Sequence, residues 1–119
     1  MTALNLIVIR TADIHRLKEF YNLLELVFDY HKHDKGPYHY SCETGSLTIE
    51  IYPLAASQTV TDKHLRLGFT LEDFDEVIAQ LKSKDTTFIS EPVQTDYGYM
   101  AVVEDPDGRK IELYRNQTT

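Results

Sequence analysis

The chain has 119 residues, of which 42% are hydrophobic and 26% are charged, and its formal net charge is −7. These values are typical of one globular domain with a hydrophobic core of its own. An acidic chain without a cluster of basic residues is a poor candidate for binding nucleic acid or an anionic membrane surface. No apolar run approaches the roughly 20 residues that cross a membrane as a helix, so a membrane-spanning protein is not expected either.

Two features predict a cytoplasmic protein. Residues 1–5 carry no basic segment followed by an apolar stretch, so no secretory signal is expected. The single cysteine, Cys42, cannot form an intrachain disulfide, which is typical of a reducing compartment. We interpret Cys42 as a small buried residue of a strand.

The first half of the chain predicts one strand, one helix and three more strands. Residues 4–9 are a continuous apolar run that contains several β-branched side chains. Asp13 is a good N-cap for an amphipathic helix that continues to about residue 25. The three strands that follow are predicted at residues 27–33, 38–43 and 47–52.

The second half repeats this order. A strand is predicted at residues 64–71, and Asp73 is the N-cap of a second helix, with Glu76 placed to complete a capping box. The apolar stripe of this helix is Phe74, Val77, Ile78 and Leu81. A turn signal, Asp-Pro-Asp-Gly, lies at residues 105–108. The remaining strands are predicted at residues 86–89, 100–104 and 110–114, and a frayed tail at 116–119.

The two halves therefore read as two copies of one βαβββ module, which is an α+β arrangement. The copies lie about 60 residues apart, a spacing that is longer than the repeats of solenoid proteins and occurs only twice. We place the first module at about residues 3–53, a linker at 54–62 and the second module at 63–115.

The most informative part of the repeat is a short apolar strand that carries one carboxylate. It reads Ile-Glu-Ile-Tyr in the first half and Ile-Glu-Leu-Tyr in the second. Since side chains alternate along a strand, Glu50 shares a face with Tyr52, and Glu112 shares a face with Tyr114. A carboxylate on a partly buried strand needs a partner, so the two glutamates predict a functional site.

Three segments of the sequence resemble the vicinal oxygen chelate superfamily, which includes glyoxalase I, bleomycin-resistance proteins and extradiol dioxygenases. They are residues 103–113 (VEDPDGRKIEL), residues 9–13 (IRTAD) and the Phe20-Tyr21 pair of the first helix. The resemblance covers nearly the whole chain. It implies that the modules form a curled mixed sheet around a cup for a small molecule, and that the protein is a homodimer.

The resemblance also implies a metal site, with one ligand from the first strand and one from the fourth strand of each module. Glu50 and Glu112 match the two fourth-strand positions. The first-strand positions fall on Leu6 and Arg66, neither of which binds a metal. His64 precedes Arg66 by two residues on the same face, so it becomes a ligand if the strand register shifts by two.

In the first interpretation, Arg66 takes the place of the metal. Two carboxylates that face each other across a partly dry cup repel, and a guanidinium between Glu50 and Glu112 relieves this repulsion. This arrangement predicts a metal-free cup that binds a small organic molecule, similar to the bleomycin-resistance branch. Replacing Arg66 by Leu would then cost about 3 kcal/mol of stability or more. The other residues expected to contact the ligand are His64, Tyr40, Tyr52, Lys110 and Tyr114.

In the alternative interpretation, His64, Glu50 and Glu112 hold one divalent ion, with Zn²⁺, Ni²⁺, Mn²⁺ and Fe²⁺ as candidates. The metal would polarise a substrate carbonyl, and Glu112 or Glu50 would carry a proton as the catalytic group of a glyoxalase-type lyase or isomerase. An extradiol dioxygenase would need a histidine in place of Leu6. A third interpretation makes Glu50, Arg66 and Glu112 a purely structural cluster of ion pairs.

Histidines near the second and third strands offer a further possibility. His31 and His33 lie on one face of a predicted strand, and this spacing can chelate a metal, although an exposed strand end is the simpler interpretation. His39 lies between Tyr38 and Tyr40, so alternation puts either the tyrosines or the histidine into the cup. By analogy with the fourth strand, we expect the tyrosines to face the cup.

Overall fold

A computed structural model describes residues 1–117, which form eight strands and two helices. The chain divides into two compact units: Met1–Asn22 with Leu26–Thr61, and Leu23–Glu25 with the residues from Asp62 onward. Each unit holds one helix and a four-stranded mixed sheet. The predicted α+β class and the duplicated βαβββ order are confirmed. Neither helix in residues 1–117 is long and apolar enough to span a membrane.

The first unit has one helix packed on one face of its sheet. Its elements are β1 (Leu6–Thr11), α1 (Ile14–Asn22), β2 (Asp29–His31), β3 (His39–Thr44) and β4 (Leu47–Pro53). The strand order is β1-β4-β3-β2, with β1 parallel to β4 and the other neighbours antiparallel. Ile49 and Ile51 of β4 are buried, as are Leu17 and Tyr21 of α1. Alternation places Glu50 on the opposite face of β4.

The second unit repeats this arrangement. Its elements are β5 (Leu67–Leu71), α2 (Phe74–Ser83), β6 (Phe88–Thr95), β7 (Gly98–Glu104) and β8 (Lys110–Arg115). The strand order is β5-β8-β7-β6, with β5 parallel to β8. Ile111 and Leu113 of β8 are fully buried, and the predicted apolar stripe of α2 is buried as well. Glu112 lies on the opposite face of β8.

Both predicted N-caps are confirmed. Asp13 Oδ1 accepts hydrogen bonds from the backbone N–H groups of His15 and Arg16, each at 3.1 Å. Asp73 Oδ1 accepts a hydrogen bond from the backbone N–H of Glu76 at 3.5 Å. Each bond satisfies a backbone donor that has no partner within its helix.

The second bond of the predicted capping box, in which the Asp73 N–H would donate to the Glu76 side chain, does not form. The Asp73 N–H donates instead to Glu25 Oε2 at 2.8 Å, and the neighbouring Glu72 N–H donates to Glu25 Oε1 at 2.9 Å. The Glu76 side chain accepts from Gln80 Nε2 at 3.1 Å. A carboxylate at a helix N-terminus is stabilising, so Glu25 has the role that the sequence assigned to Glu76.

The ends of several strands differ from their predicted positions. β2 is limited to residues 29–31, and β5 begins only at Leu67, so His64 and Arg66 precede it. β6 continues through Pro92, which is tolerated because β6 is the edge strand of its sheet. The predicted tail at residues 116–119 extends beyond the described part of the chain.

The predicted turn at residues 105–108 is confirmed. Its two aspartates pair with a buried arginine, Arg109, whose burial the sequence did not indicate. Asp105 Oδ1 accepts from the backbone N–H groups of Asp107 (2.9 Å) and Arg109 (3.0 Å). Arg109 is only 1% exposed, and its Nη1 lies 3.1 Å from Asp105 Oδ2 and 2.8 Å from Asp107 Oδ2. Gly108 has a φ of +90°, which favours glycine.

Candidate functional site

Glu112 is the centre of a hydrogen-bonded group in the second unit. Its Oε2 accepts from Arg66 Nε at 2.6 Å, and its Oε1 accepts from the Tyr114 hydroxyl at 2.5 Å. Tyr114 follows Glu112 by two residues on β8, so the strand itself places both side chains on one face. Arg66 reaches this face from the segment before β5, which runs beside β8. The structure therefore brings together three of the predicted site residues.

These contacts set the ionisation of the group. The hydrogen bond from Tyr114, followed by that from Arg66, lowers the pKa of the Glu112 carboxyl. The same hydrogen bond to Glu112, followed by burial, raises the pKa of the Tyr114 phenol. At neutral pH the site therefore holds a carboxylate, a guanidinium and a protonated phenol.

The lowered pKa of Glu112 predicts a pH-dependent contribution to stability. Its ordinary value of 4.5 applies to the unfolded chain, so the contribution is complete above pH 4.5 and is lost as the pH falls through the lower folded value. We expect wild type to be more stable than Glu112→Gln by about 1 kcal/mol at pH 7, with the difference shrinking toward pH 3. Urea denaturation of both proteins across this range measures it. A difference that stays constant from pH 7 to pH 3 would contradict the assignment.

The ion pair at this site is only partly buried. The Arg66 side chain is 49% exposed and that of Glu112 is 25% exposed. Pairs in such a setting contribute about 1 kcal/mol or less, because solvent screens them. The cost of about 3 kcal/mol expected for Arg66→Leu assumed a buried pair, and the exposure reduces that expectation to about 1 kcal/mol.

Two other predicted residues of this unit make no described contact with Glu112. Lys110 begins β8 on the same face, is exposed, and is paired in register with Glu104. His64 is exposed, and its backbone N–H donates to Asp62 Oδ1 at 2.9 Å. Within residues 1–117 the structure gives no ion pair between the His64 imidazole and Glu112.

The residues at the positions implied for a metal do not fit one. Leu6 is an exposed hydrocarbon side chain, and Arg66 is a cation. Both oxygens of Glu112 already accept hydrogen bonds, so a metal there would have to displace Tyr114 and Arg66. Carboxylate, imidazole and thiolate are the usual protein donors to Zn²⁺ and similar transition metals, and this set supplies too few of them.

Glu50, the matching residue of the first unit, lies beside a stacked pair of rings. Its Oε2 is 3.8 Å from His39 Nε2. The His39 and Tyr52 rings stack with centroids 4.1 Å apart, and the Tyr52 hydroxyl is 3.3 Å from His39 Nε2. Burial, followed by the Glu50 carboxylate, raises the pKa of the Tyr52 phenol, so the phenol keeps its proton and can donate to His39.

The expectation that the tyrosines of the third strand share a face with Glu50 is wrong for Tyr40. Tyr40 is opposite Ile51 in the register of β3 and β4, which places it on the face that packs against α1. It is buried there, with its hydroxyl 2.8 Å from His15 Nδ1. His39 therefore occupies the face that carries Glu50, and Tyr40 does not fit the predicted ligand-binding role.

Comparisons with known proteins agree with this fold. A family model described as the Glyoxalase/Bleomycin resistance protein/Dioxygenase superfamily matches residues 3–113. The structure of TnmS3, an antibiotic binding protein from Streptomyces sp. CB03234, is 18% identical, with a TM-score of 0.77 and 98% of each chain covered. The oxidase ChaP-H2 is 18% identical, with a TM-score of 0.75 and coverage of 97% of this chain and 94% of that one.

A glyoxylase/bleomycin resistance protein/dioxygenase domain from Frankia sp. EAN1pec is also similar. It is 16% identical, with a TM-score of 0.77 and coverage of 98% of this chain and 99% of that chain. No curated protein matches the sequence. At these identities the solved structures show a shared fold, and the chemistry depends on the side chains of each protein.

Proposed function

Because this chain belongs to the Glyoxalase/Bleomycin resistance protein/Dioxygenase superfamily, we propose that it binds a small organic molecule beside Arg66, Glu112 and Tyr114, without a metal ion at Glu112. The observation that carries this proposal is the engagement of both Glu112 oxygens by protein donors. A carboxylate in this state orients the guanidinium and is not available as a metal ligand or as a general base.

The chemistry of Arg66 indicates which ligands suit the site. Its Nε is directed at Glu112, and a planar guanidinium has further N–H donors on its two terminal nitrogens. With half of the side chain exposed, these donors can reach a carbonyl, carboxylate or phenolate group. The Tyr114 ring and Lys110, on the same face, favour a planar and partly anionic molecule. The fold shared with the antibiotic binding protein TnmS3 is consistent with such a ligand.

Tyrosine fluorescence provides a direct test, since the chain has eight tyrosines and no tryptophan. The probes are salicylate, 4-hydroxybenzoate, 2-hydroxy-1,4-naphthoquinone and 1,8-dihydroxyanthraquinone, each titrated in the presence of EDTA. We expect saturable binding of at least one probe. We expect Arg66→Leu to weaken that binding at least about tenfold, because a charge-assisted hydrogen bond is lost.

A matched control is available in the first unit. Arg16 is exposed on α1, and Arg16→Leu removes the same charge without touching the site, so its binding should equal that of wild type. Urea denaturation of both variants shows whether a loss of binding reflects a loss of folding. Absence of binding for all four probes, or equal binding by wild type and Arg66→Leu, would overturn the proposal.

A further inference from the structure

Three of the five histidines of the chain lie together at one end of the sheet in the first unit. His31 of β2 is directly opposite His39 of β3, so both side chains lie on one face, and His33 follows two residues after His31. The centroid of the His39 ring is 4.4 Å from that of His31 and 5.2 Å from that of His33. Each imidazole brings a ring nitrogen to within 4.8 Å of the other two.

We propose that His31, His33 and His39 bind one divalent transition-metal ion of the Zn²⁺, Ni²⁺ or Cu²⁺ type. Neutral imidazole suits these metals, and a site of three imidazoles leaves further coordination positions to water or to an oxygen or nitrogen of a small molecule. The site lies within the first unit and is independent of the ligand proposed to bind beside Arg66.

The surroundings of His39 match those of a metal-binding histidine. His39 is buried, and its Nδ1 is 3.2 Å from the Pro37 carbonyl oxygen. Since that oxygen can only accept, donation from Nδ1 leaves the lone pair on Nε2. A metal at Nε2 would replace the long contact of 3.3 Å from the Tyr52 hydroxyl. Metal-binding histidines usually have one nitrogen held by a backbone carbonyl or carboxylate in this way. The Glu50 carboxylate, 3.8 Å from Nε2, adds negative charge that favours a cation.

The spacing requires a small movement of the two less buried rings. In the structure, one ring nitrogen of each histidine lies within 4.8 Å of the other two. Nitrogens bound to one tetrahedral zinc at about 2.0–2.1 Å are about 3.4 Å apart, so the rings must move closer together. His31 is half-buried and His33 is exposed at the start of the turn between β2 and β3, so both rings have room to rotate. Lys32, between them in sequence, is placed over the Tyr38 ring instead.

Isothermal titration of untagged protein with Zn²⁺ tests this site, with Ni²⁺ and Cu²⁺ titrated in parallel. We expect one ion per chain in the wild type. The affinity should fall at least about tenfold in His31→Ala, in His33→Ala and in His39→Ala, since each removes one of three ligands. His15→Ala, which removes an exposed histidine of the same unit, is the matched control and should bind as wild type does.

The outcomes separate this site from the one at Glu112. His39 is buried, so His39→Ala is expected to disturb folding. Circular dichroism should show that His31→Ala and His33→Ala are folded, and these two variants decide the question. Binding that is unchanged in both, or absent in wild type, would overturn the inference and leave the proposed organic ligand untouched. Binding lost in Glu112→Gln but retained in the histidine variants would overturn the metal-free assignment of Glu112 as well.

Discussion

Replacing Arg109 with leucine is expected to lower the free energy of unfolding by about 3 kcal/mol or more. Arg109 is 1% exposed and is paired with Asp105, whose side chain is fully buried, and with Asp107. Leucine fills part of the space but leaves the Asp105 carboxylate in a dry environment without its cation. Breaking a buried ion pair on one side is costly because the remaining charge has lost both water and its partner.

The control for this prediction is an exposed pair in the same unit. Lys82 lies 2.6 Å from Glu91, and both side chains are at least half exposed. Lys82→Leu should cost about 1 kcal/mol or less, because water replaces the lost contact. Urea denaturation of Arg109→Leu and Lys82→Leu at pH 7 gives the comparison. Equal costs for the two variants would contradict the view that Arg109 anchors the turn before β8.

Leu113→Ala is expected to cost about 2–5 kcal/mol of stability, the range for truncating a fully buried leucine. Leu113 is 0% exposed in β8, on the face that packs against α2. Its neighbour Glu112 lies on the other face, where Glu112→Gln should cost about 1 kcal/mol or less. The two adjacent positions therefore have opposite roles, one in the core and one in the site.

The effects on probe binding should be the reverse of the effects on stability for these two variants. Leu113→Ala, measured below its unfolding temperature, should retain probe binding. Glu112→Gln should weaken it, because the neutral amide no longer orients Arg66 through a charge-assisted bond. Thermal denaturation and the fluorescence titration measure the two effects. A large stability loss in Glu112→Gln, with unchanged binding, would mean that Glu112 is a structural residue.

Local sequence patterns are sufficient to predict most of the secondary structure and the buried faces of its elements. The two N-caps, the apolar stripe of α2 and the alternation along β4 and β8 depend on residues close together in the chain. The capping partner of Asp73 could not be predicted in this way, since Glu25 precedes it by some 50 positions. A lone Glu in a turn carries no signal for such a distant backbone contact.

The orientation of His39 and Tyr40 follows from the length of the turn that joins their strand to the next one. The strands β3 and β4 are joined through Gly45 and Ser46, and a two-residue hairpin turn determines the register of its strands. Counting outward from Thr44 and Leu47 pairs Tyr40 with Ile51 and places it in the core. Analogy with the fourth strand predicts the wrong face for both residues, and it therefore leaves His39 out of the histidine cluster.

Burial was the property that the sequence predicted least well. Arg66 and Arg109 are both arginines near a strand that carries a carboxylate, yet one is half exposed and the other is fully enclosed. The difference arises because Arg109 folds back onto two aspartates of its own turn, whereas Arg66 reaches Glu112 from the segment before β5. Tertiary packing, which a single sequence does not reveal, sets the cost of losing either one.

The most direct test of the central claim is the zinc content of untagged protein after equilibrium dialysis against Zn²⁺, compared between Glu112→Gln and His31→Ala. The proposed arrangement has protein donors on both oxygens of Glu112 and a metal on the histidine cluster. It therefore predicts about one zinc per chain in wild type and in Glu112→Gln, and much less in His31→Ala. Zinc lost from Glu112→Gln and retained in His31→Ala would contradict it.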